Sequence, residues 1–351
     1  MTLKVGLTFN LRKKPGIEKD LPADFYAEYD EEETINAIAV ALKKGGCDVK
    51  KIEADERAYS KLARLLPDIV FNFAEGLRGE SRESHIPAML EMLSIPYTGS
   101  GPLTLAVALN KALTHQLLEK NGIPSPFFQV FNRSDEEIDV KLDFPCVVKP
   151  LSEGSSKGIW SSSLIRDVKA LRKQVSWVVK TYNQPAIVEE FLPGREFTIG
   201  LIGNKPPTVL PIVEILLEKL PAKASKLYSY EAKWVWDLPE NPLEMFHCPA
   251  NITAELKEKL VEIAVKTFKV LNCKDVCRID IRSDRNDMTR VLEVNPIPGL
   301  IPNPDAHSCL PEAARAAGYS YDQLICTILW YGLERYGLDH LFKERTLIKI
   351  Q

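Results

Sequence analysis

Apolar and polar positions follow two rhythms along this chain. Leu3, Val5, Leu7 and Phe9 alternate with polar residues or Gly, the period of a first strand. A polar stretch from Asn10 to Asp30 follows, long for a connection in a compact domain, and reads as a functional flap. Glu31 to Lys44 has a helical stripe of Ile35, Ile38, Ala39 and Leu42, opened by acids and closed by Gly45-Gly46. Asp68 to Phe73 is a compact β-branched strand. Strand, helix and strand in that order predict a parallel α/β first domain with sites at the strand C-termini. The turn-rich Ile95-Pro-Tyr-Thr-Gly-Ser-Gly-Pro102 ends it.

Leu103 to Asn121 reads as one helix, stopped by Asn121-Gly122 and Pro124. Strands are expected at Phe144 to Pro150, Ala186 to Phe191, Glu196 to Gly203 and Thr208 to Leu216, with a helix over Asp167 to Thr181. Lys219 to Pro249 is irregular, rich in aromatic and charged residues. A long amphipathic helix spans Ile252 to Leu271. Val276 to Ser283 and Thr289 to Asn295 are strands joined by a polar loop. Ser320-x-x-Gln323 is a capping box for a last helix running to about Tyr336.

Composition narrows the class. The 351 residues exceed one comfortable core, so two or three lobes are expected. A formal charge of −3 argues against a general nucleic-acid binder, and no apolar run reaches membrane-span length. The first ten residues show no signal-peptide core. Seven scattered cysteines fit buried thiols in a reducing compartment, so a cytoplasmic protein is expected.

The chemistry concentrates in a few segments. Arg278 and Asp280 share one strand face, as do Glu293 and Asn295. If the two strands pair in register, three oxygen donors suit a hard ion such as Mg2+, and the guanidinium suits a phosphoryl oxygen. Glu153-Gly-Ser-Ser-Lys-Gly158 follows a strand, and its small residues and hydroxyls can cradle phosphates, though without Walker spacing. Lys149 ends an apolar strand and needs an anionic partner. Lys111 interrupts an apolar helix, and Lys233 lies in Tyr230-Glu-Ala-Lys-Trp234. Taken alone, each feature reads more readily as an ordinary turn, a half-exposed strand face or a solvated charge.

Taken in order, the pieces resemble the ATP-grasp superfamily, and within it the D-alanine–D-alanine ligases, from about Asp68 to Leu329. The resemblance rests on Ile95-Pro-Tyr-Thr-Gly-Ser100, Lys111, Val148-Lys149-Pro150, Gly154-Ser155-Ser156, Glu196, Tyr230-Glu-Ala-Lys233, Cys248-Pro249-Ala250, Arg278-x-Asp280, Glu293-x-Asn295 and Pro298-Gly299. It implies an α/β fold with α+β lobes: an N-terminal parallel pre-ATP-grasp lobe at 1–102, a central lid lobe at 103–192 and a C-terminal lobe at 193–351. ATP would lie between the last two. By matching position, Lys111 and Lys149 would bind ATP phosphates, with Lys149 also near the adenine. Glu153, Ser155 and Ser156 would form a covering clamp. Glu189, Phe191 and Leu192 would meet adenine, and Glu196 the ribose. Asp280, Glu293 and Asn295 would hold two Mg2+, a place Mn2+ could also take. Arg278 would stabilise the phosphorylated intermediate, and Lys233 would reach the γ-phosphate.

Departures fall in the substrate region. Where the family has a Gly-rich loop with a Glu, this chain has the basic Asn10-Leu-Arg-Lys-Lys-Pro-Gly16, whose Arg12 suits a carboxylate; Glu28, Asp30, Glu31 and Glu32 are acids that could replace the Glu. Glu75 stands for the family's His, and Arg78 and Arg82 are added. The loop tyrosine becomes Trp234. The segment from Gly299 to Ser308 is longer by about four residues, with His307 as an addition. Gly299 and Ser308 remain candidates for the second substrate's carboxylate. The resulting expectation is an ATP- and Mg2+-dependent carboxylate–amine ligase working through an acyl phosphate, with altered amino-acid or peptide substrates. Narrower or rival readings are a D-Ala-D-Ala ligase proper, a ligase of a larger peptide or natural-product acid, and a non-ligating nucleotide sensor. Relatives of this type commonly dimerise through the N-terminal lobe, which makes a homodimer possible, although the sequence itself does not give the oligomeric state.

Overall fold

The structure is a computed structural model that describes residues 2–13, 22–237, 242–306 and 308–349. The chain opens with β1 (Lys4–Phe9), α1 (Glu32–Lys44), β2 (Asp48–Glu53), α2 (Ala58–Leu65), β3 (Ile69–Phe73) and α3 (His85–Met92). The three strands form a parallel sheet in the order β2-β1-β3. β2 and α2 escape sequence reading, because only Val49 and Ile52 of β2 are buried and its lysines face water. The strand and helix expected at either end of the flap are present. Residues 14–21, with part of the basic loop, lie outside the described residues.

The single helix expected over Leu103 to Asn121 is instead two, α4 (Pro102–Leu109) and α5 (Lys111–Lys120). Asn110 between them is extended, at φ −85° and ψ 98°, and its side chain accepts from the Leu113 N–H. An asparagine in that conformation is a good N-cap, so local capping outcompetes continuity of the helix. The break places Lys111 at the first position of α5.

The next lobe comprises β4 (Phe128–Phe131), β5 (Cys146–Pro150), β6 (Leu164–Ile165), α6 (Val168–Tyr182) and β7 (Ala186–Glu190). Its antiparallel sheet runs β4-β7-β5-β6, with Val148, Val188, Leu171, Val175 and Val178 in its core. Asp167 caps α6 rather than lying within it.

The last lobe holds β8 (Glu196–Ile202), β9 (Thr208–Val209), β10 (Val213–Ile215), β11 (Phe246–His247), α7 (Ala254–Val270), β12 (Val276–Ser283), β13 (Thr289–Asn295), α8 (Cys309–Ala316) and α9 (Tyr321–Arg335). The strand expected over Thr208 to Leu216 is split into β9 and β10, with Pro211 between them lacking an N–H for a continuous ladder. The sheet order is β11-β10-β8-β12-β13, with β9 also on β8. The segment expected to be irregular contains β11 and a π-helical turn at Ala232–Trp236.

The lobes are not packed separately. Ile35, Ile38, Leu42, Leu7 and Phe71 share one core with Leu310, Ile325, Cys326, Leu329 and Phe342. The end of the chain thus covers the first sheet, and Asp275, wholly buried, anchors this joint by accepting from the Gly99 N–H and pairing with Arg335 at 2.9 Å.

Candidate active site

A cavity of about 560 Å3 runs between the lobes, lined by residues from all of them. Its floor is the β12/β13 hairpin. Arg278 pairs with Asn295 and Asp280 with Glu293 in the antiparallel register, so these four side chains occupy one face. All four line the cavity, while Ile279 and Val294 turn into the core.

The face is densely bonded. Asp280 accepts from Arg278 Nε at 3.1 Å and Nη2 at 2.9 Å. It also accepts from the Thr198 hydroxyl at 2.8 Å and the Asn295 amide at 3.1 Å. Glu293 pairs with Lys111 Nζ at 2.9 Å, and Lys111 also donates to the Glu153 carbonyl. Lys111, Lys149 and Arg278 together hold the Glu293 carboxyl below its ordinary pKa, against the opposing effect of burial. Burial pushes Lys233 the other way, down to about 8, and Arg278 nearby adds to it. Lys233 lies on the π-helical turn, beside the Trp234 ring at 5.3 Å.

A second group surrounds Lys149. Its Nζ lies 2.7 Å from Glu189 Oε2, and His115 Nε2 lies 3.1 Å from Glu189 Oε1. Burial disfavours the Glu189 charge, but Lys149 and His115 overcome it and bring the carboxyl to about 2. Glu196 pairs with Arg282 at 3.2 Å, and Arg282 stacks over Phe191 at 5.1 Å. Phe191 and Leu192 line the same wall. His115 and Arg282 are additions to the residues singled out from sequence. Arg282 was findable, since Arg278, Asp280 and Arg282 recur on one strand face; His115 sits on a helix and gave no such signal.

Two loops cover the cavity and touch each other. Ser155 and Ser156 both adopt left-handed backbone, at φ 50° and 60°. The Ser156 hydroxyl donates to the Tyr228 carbonyl at 2.9 Å, and Trp234 Nε1 donates to the Ser155 carbonyl at 3.3 Å. The Tyr230 N–H donates to the Ile159 carbonyl at 2.7 Å, and Trp160 packs on Tyr230.

The N-terminal flap clasps the first of these loops. Asp24 accepts from the Gly158 N–H at 2.8 Å and the Tyr182 hydroxyl at 2.7 Å. Glu28 accepts from the Gly154 N–H and from Arg82 Nη2 at 2.7 and 2.8 Å. Arg82 donates to Glu153 at 3.1 Å and to the Ser152 carbonyl at 2.7 Å, while Lys157 meets Glu153 at 2.7 Å. Glu153 and Arg82 are thus bonded to each other, within a buried four-charge network. Arg12 likewise spends its guanidinium on the carbonyls of Tyr29 and Ala27 and on Glu31, and stacks on Trp234 at 4.4 Å.

Of the other substrate candidates, the Ser308 hydroxyl donates to the Gly299 carbonyl at 2.9 Å, and both residues line the cavity. Glu75 lines it too, on the segment after β3. Arg78 is exposed, and His307 lies outside the described residues.

Asp280, Glu293 and Asn295 carry donors that suit a hard divalent ion, two carboxylates and an amide from adjacent register positions, with Arg278 and Lys111 on the carboxylates as competing cations. Among the described residues no group of three or more His, Cys, Asp or Glu is arranged for a metal, which is consistent with the third donor here being an amide. No helix among them is long and apolar enough to cross a membrane.

Comparison with known proteins follows the same lines. Residues 117–330 match the family model described as D-ala D-ala ligase C-terminus. An uncharacterised protein of Sinorhizobium fredii is 37% identical, over 86% of this chain and 88% of its own. A D-alanine–D-alanine ligase of Carboxydothermus hydrogenoformans is 36% identical, over 86% of this chain and 93% of its own. Two solved structures share the fold: the D-alanine–D-alanine ligase of Bacillus anthracis complexed with ATP, and VanG D-Ala:D-Ser ligase from Enterococcus faecalis. The first has a TM-score of 0.70 at 22% identity, over 95% of this chain and 99% of that one. The second has 0.71 at 20% identity, over 95% and 100%.

Proposed function

The chain belongs to the D-alanine–D-alanine ligase family of ATP-grasp proteins, and from that premise we propose that it is an ATP- and Mg2+-dependent carboxylate–amine ligase with an amino-acid pocket of its own. One observation carries the reading. The β12/β13 register puts Arg278, Asp280, Glu293 and Asn295 on a single face of a cavity that Lys111, Lys149, Lys233 and Glu196 also line.

The residues divide by task. Phe191 and Leu192 offer an apolar wall for a flat base, with Glu189 at its edge. Glu196 stands where a ribose hydroxyl would meet a carboxylate. Lys111 and Lys149 supply charge for the phosphates. The substrate carboxylate attacks the γ-phosphorus in line, the bond to the bridging oxygen breaks, and ADP leaves. The resulting acyl phosphate is attacked at carbon by an amine, which loses a proton as phosphate departs and an amide forms. Arg278 offsets charge on the transferring phosphoryl group, and Lys233 approaches it from the covering loop. Asp280, Glu293 and Asn295 would hold two Mg2+ ions, which would draw charge from the phosphate oxygens. Closure of the loops bearing Ser155, Ser156 and Lys233 keeps water from the acyl phosphate.

The test is direct. With ATP, Mg2+ and pools of amino acids, substrate-dependent ADP release should accompany a product heavier than either acid. Arg278→Ala should lower turnover by at least about a hundredfold while ATP still binds. Wild-type turnover in that variant would sink the assignment. Tight ATP binding with no ADP from any acid would leave a nucleotide-binding protein without ligation.

A further inference from the structure

Three carboxylates at the N-terminal end of the cavity take no part in the chemistry above. They are Asp30 at the end of the flap, Glu75 after β3, and Glu83 in the short turn before α3. Glu83 is 8% exposed, faces the cavity, and among the described residues has no hydrogen-bond or ion-pair partner. The carboxylates of Asp30 and Glu75 are equally without partners among those residues.

The shortage is one of donors, not of cations nearby. Arg82 and Lys157 are matched by Glu28 and Glu153, the four forming one closed network. Lys111 is matched by Glu293, and Arg12 by carbonyls and Glu31. Lys233, which acts on Asp30, is the one neighbouring cation without an ion-pair partner among the described residues, and three acids outnumber it where an acyl donor would sit. Keeping an unpaired carboxylate out of water is expensive, and Glu83 is buried while Asp30 and Glu75 are half-buried, so the site gains from a ligand that pairs them.

We propose that this end of the cleft selects an acyl donor carrying two cationic groups: its α-ammonium and a second amine or guanidinium, as in a basic amino acid or a peptide that begins with one. The inference rests on the ligase reading for the word "donor", but not for the binding preference. A single ammonium offsets one negative charge. A donor with a neutral side chain would leave at least one further carboxylate desolvated and unpaired. Burial and mutual repulsion already lift Glu75 well above its ordinary pKa and Glu83 to about 8. A dicationic ligand reverses both effects, so it should displace protons when it binds near pH 7.

The probes are D- and L-lysine, with D- and L-norleucine as neutral isosteres and D-alanine as the small neutral acid. In ADP release with product mass analysis, lysine of one hand should exceed norleucine and D-alanine in kcat/KM by at least about tenfold. Glu83→Gln and Glu75→Gln should each reduce that ratio by at least about tenfold, with binding of a non-hydrolysable ATP analogue reporting that the variants are folded. Equal or better use of D-alanine, with a ratio the variants leave unchanged, would overturn the proposal and spare the ligase reading. If no acid drives ADP release, ligation fails, and calorimetry decides the preference separately. Tighter binding of lysine than norleucine, with proton release and loss of both in Glu83→Gln, upholds it; equal binding overturns it.

Discussion

A buried, partnerless carboxylate leaves a thermodynamic signature of its own. Glu83 titrates near 8 in the folded chain and near 4.5 when exposed. Between those values the folded state holds the proton that the unfolded state has lost, so this residue makes stability fall as pH rises from about 4.5 to 8. Glu83→Gln removes the ionisable group. It should raise the unfolding free energy at pH 8 by on the order of a few kcal/mol at most, read as a higher Tm, and change Tm little at pH 4.5. A Tm gain that is the same at both pH values would mean that the charge is not the cause. Glu189 has the opposite sign. Its pKa is about 2, so its contribution is present above about 4.5 and is lost as pH falls towards 2. The contrast is in the surroundings: Glu189 has Lys149 and His115 within hydrogen-bond reach, whereas Arg82 and Lys111 act on Glu83 only from a distance, being bonded to other groups.

At the scale of elements, the break between α4 and α5 decides where Lys111 stands. A continuous helix would turn that side chain through a different angle, whereas the cap at Asn110 starts α5 afresh and lets Lys111 reach Glu293 and the Glu153 carbonyl. Asn110→Ala removes the side-chain acceptor for the Leu113 N–H and should cost about 1 kcal/mol in urea unfolding. A variant as stable as the wild type would show that tertiary packing, not the cap, maintains the break. The sequence contains the asparagine but not its conformation. Both halves are strongly apolar, and periodicity runs through them without interruption. The β12/β13 hairpin was legible for the reverse reason: polar and apolar residues alternate through Arg278 to Arg282 and Leu292 to Asn295, and the expected spans, Val276 to Ser283 and Thr289 to Asn295, are those observed. Register was a condition in the sequence and a fact in the structure, where a bulge after Asp280 still leaves Asp280 opposite Glu293.

For the molecule as a whole, closure is a matter of contacts between distant segments. Flap, phosphate-loop candidate and Lys233 segment hold one another through Asp24, Glu28, Arg82, Ser155, Ser156 and Trp234. Opening the cleft must break this set together, because removing one member of the Glu28–Arg82–Glu153–Lys157 network strands the others. Amide hydrogen exchange should therefore slow in residues 153–159 and 228–234 in concert when a non-hydrolysable ATP analogue and Mg2+ are added. Protection of one segment without the other would show that they move independently.

Local periodicity was enough to place the α/β class and the two hairpin strands; the lysines and the two covering loops stood out only through the order of motifs that resembles the family, since each alone reads as a solvated charge or an ordinary turn. Glu75 was visible as an acid where the related sequences carry a histidine. Whether Arg12 and Arg82 were free to meet a substrate was not visible, since their partners are carbonyls and carboxylates far along the chain. Arg12 of the basic loop, which on sequence suited a carboxylate, spends its charge on carbonyls and Glu31, and the acids left unpaired nearby favour a cationic ligand. Local pattern determines which groups a chain possesses; only tertiary structure decides which have already been neutralised by one another, because an ion pair depends on distance in space and not on separation in sequence.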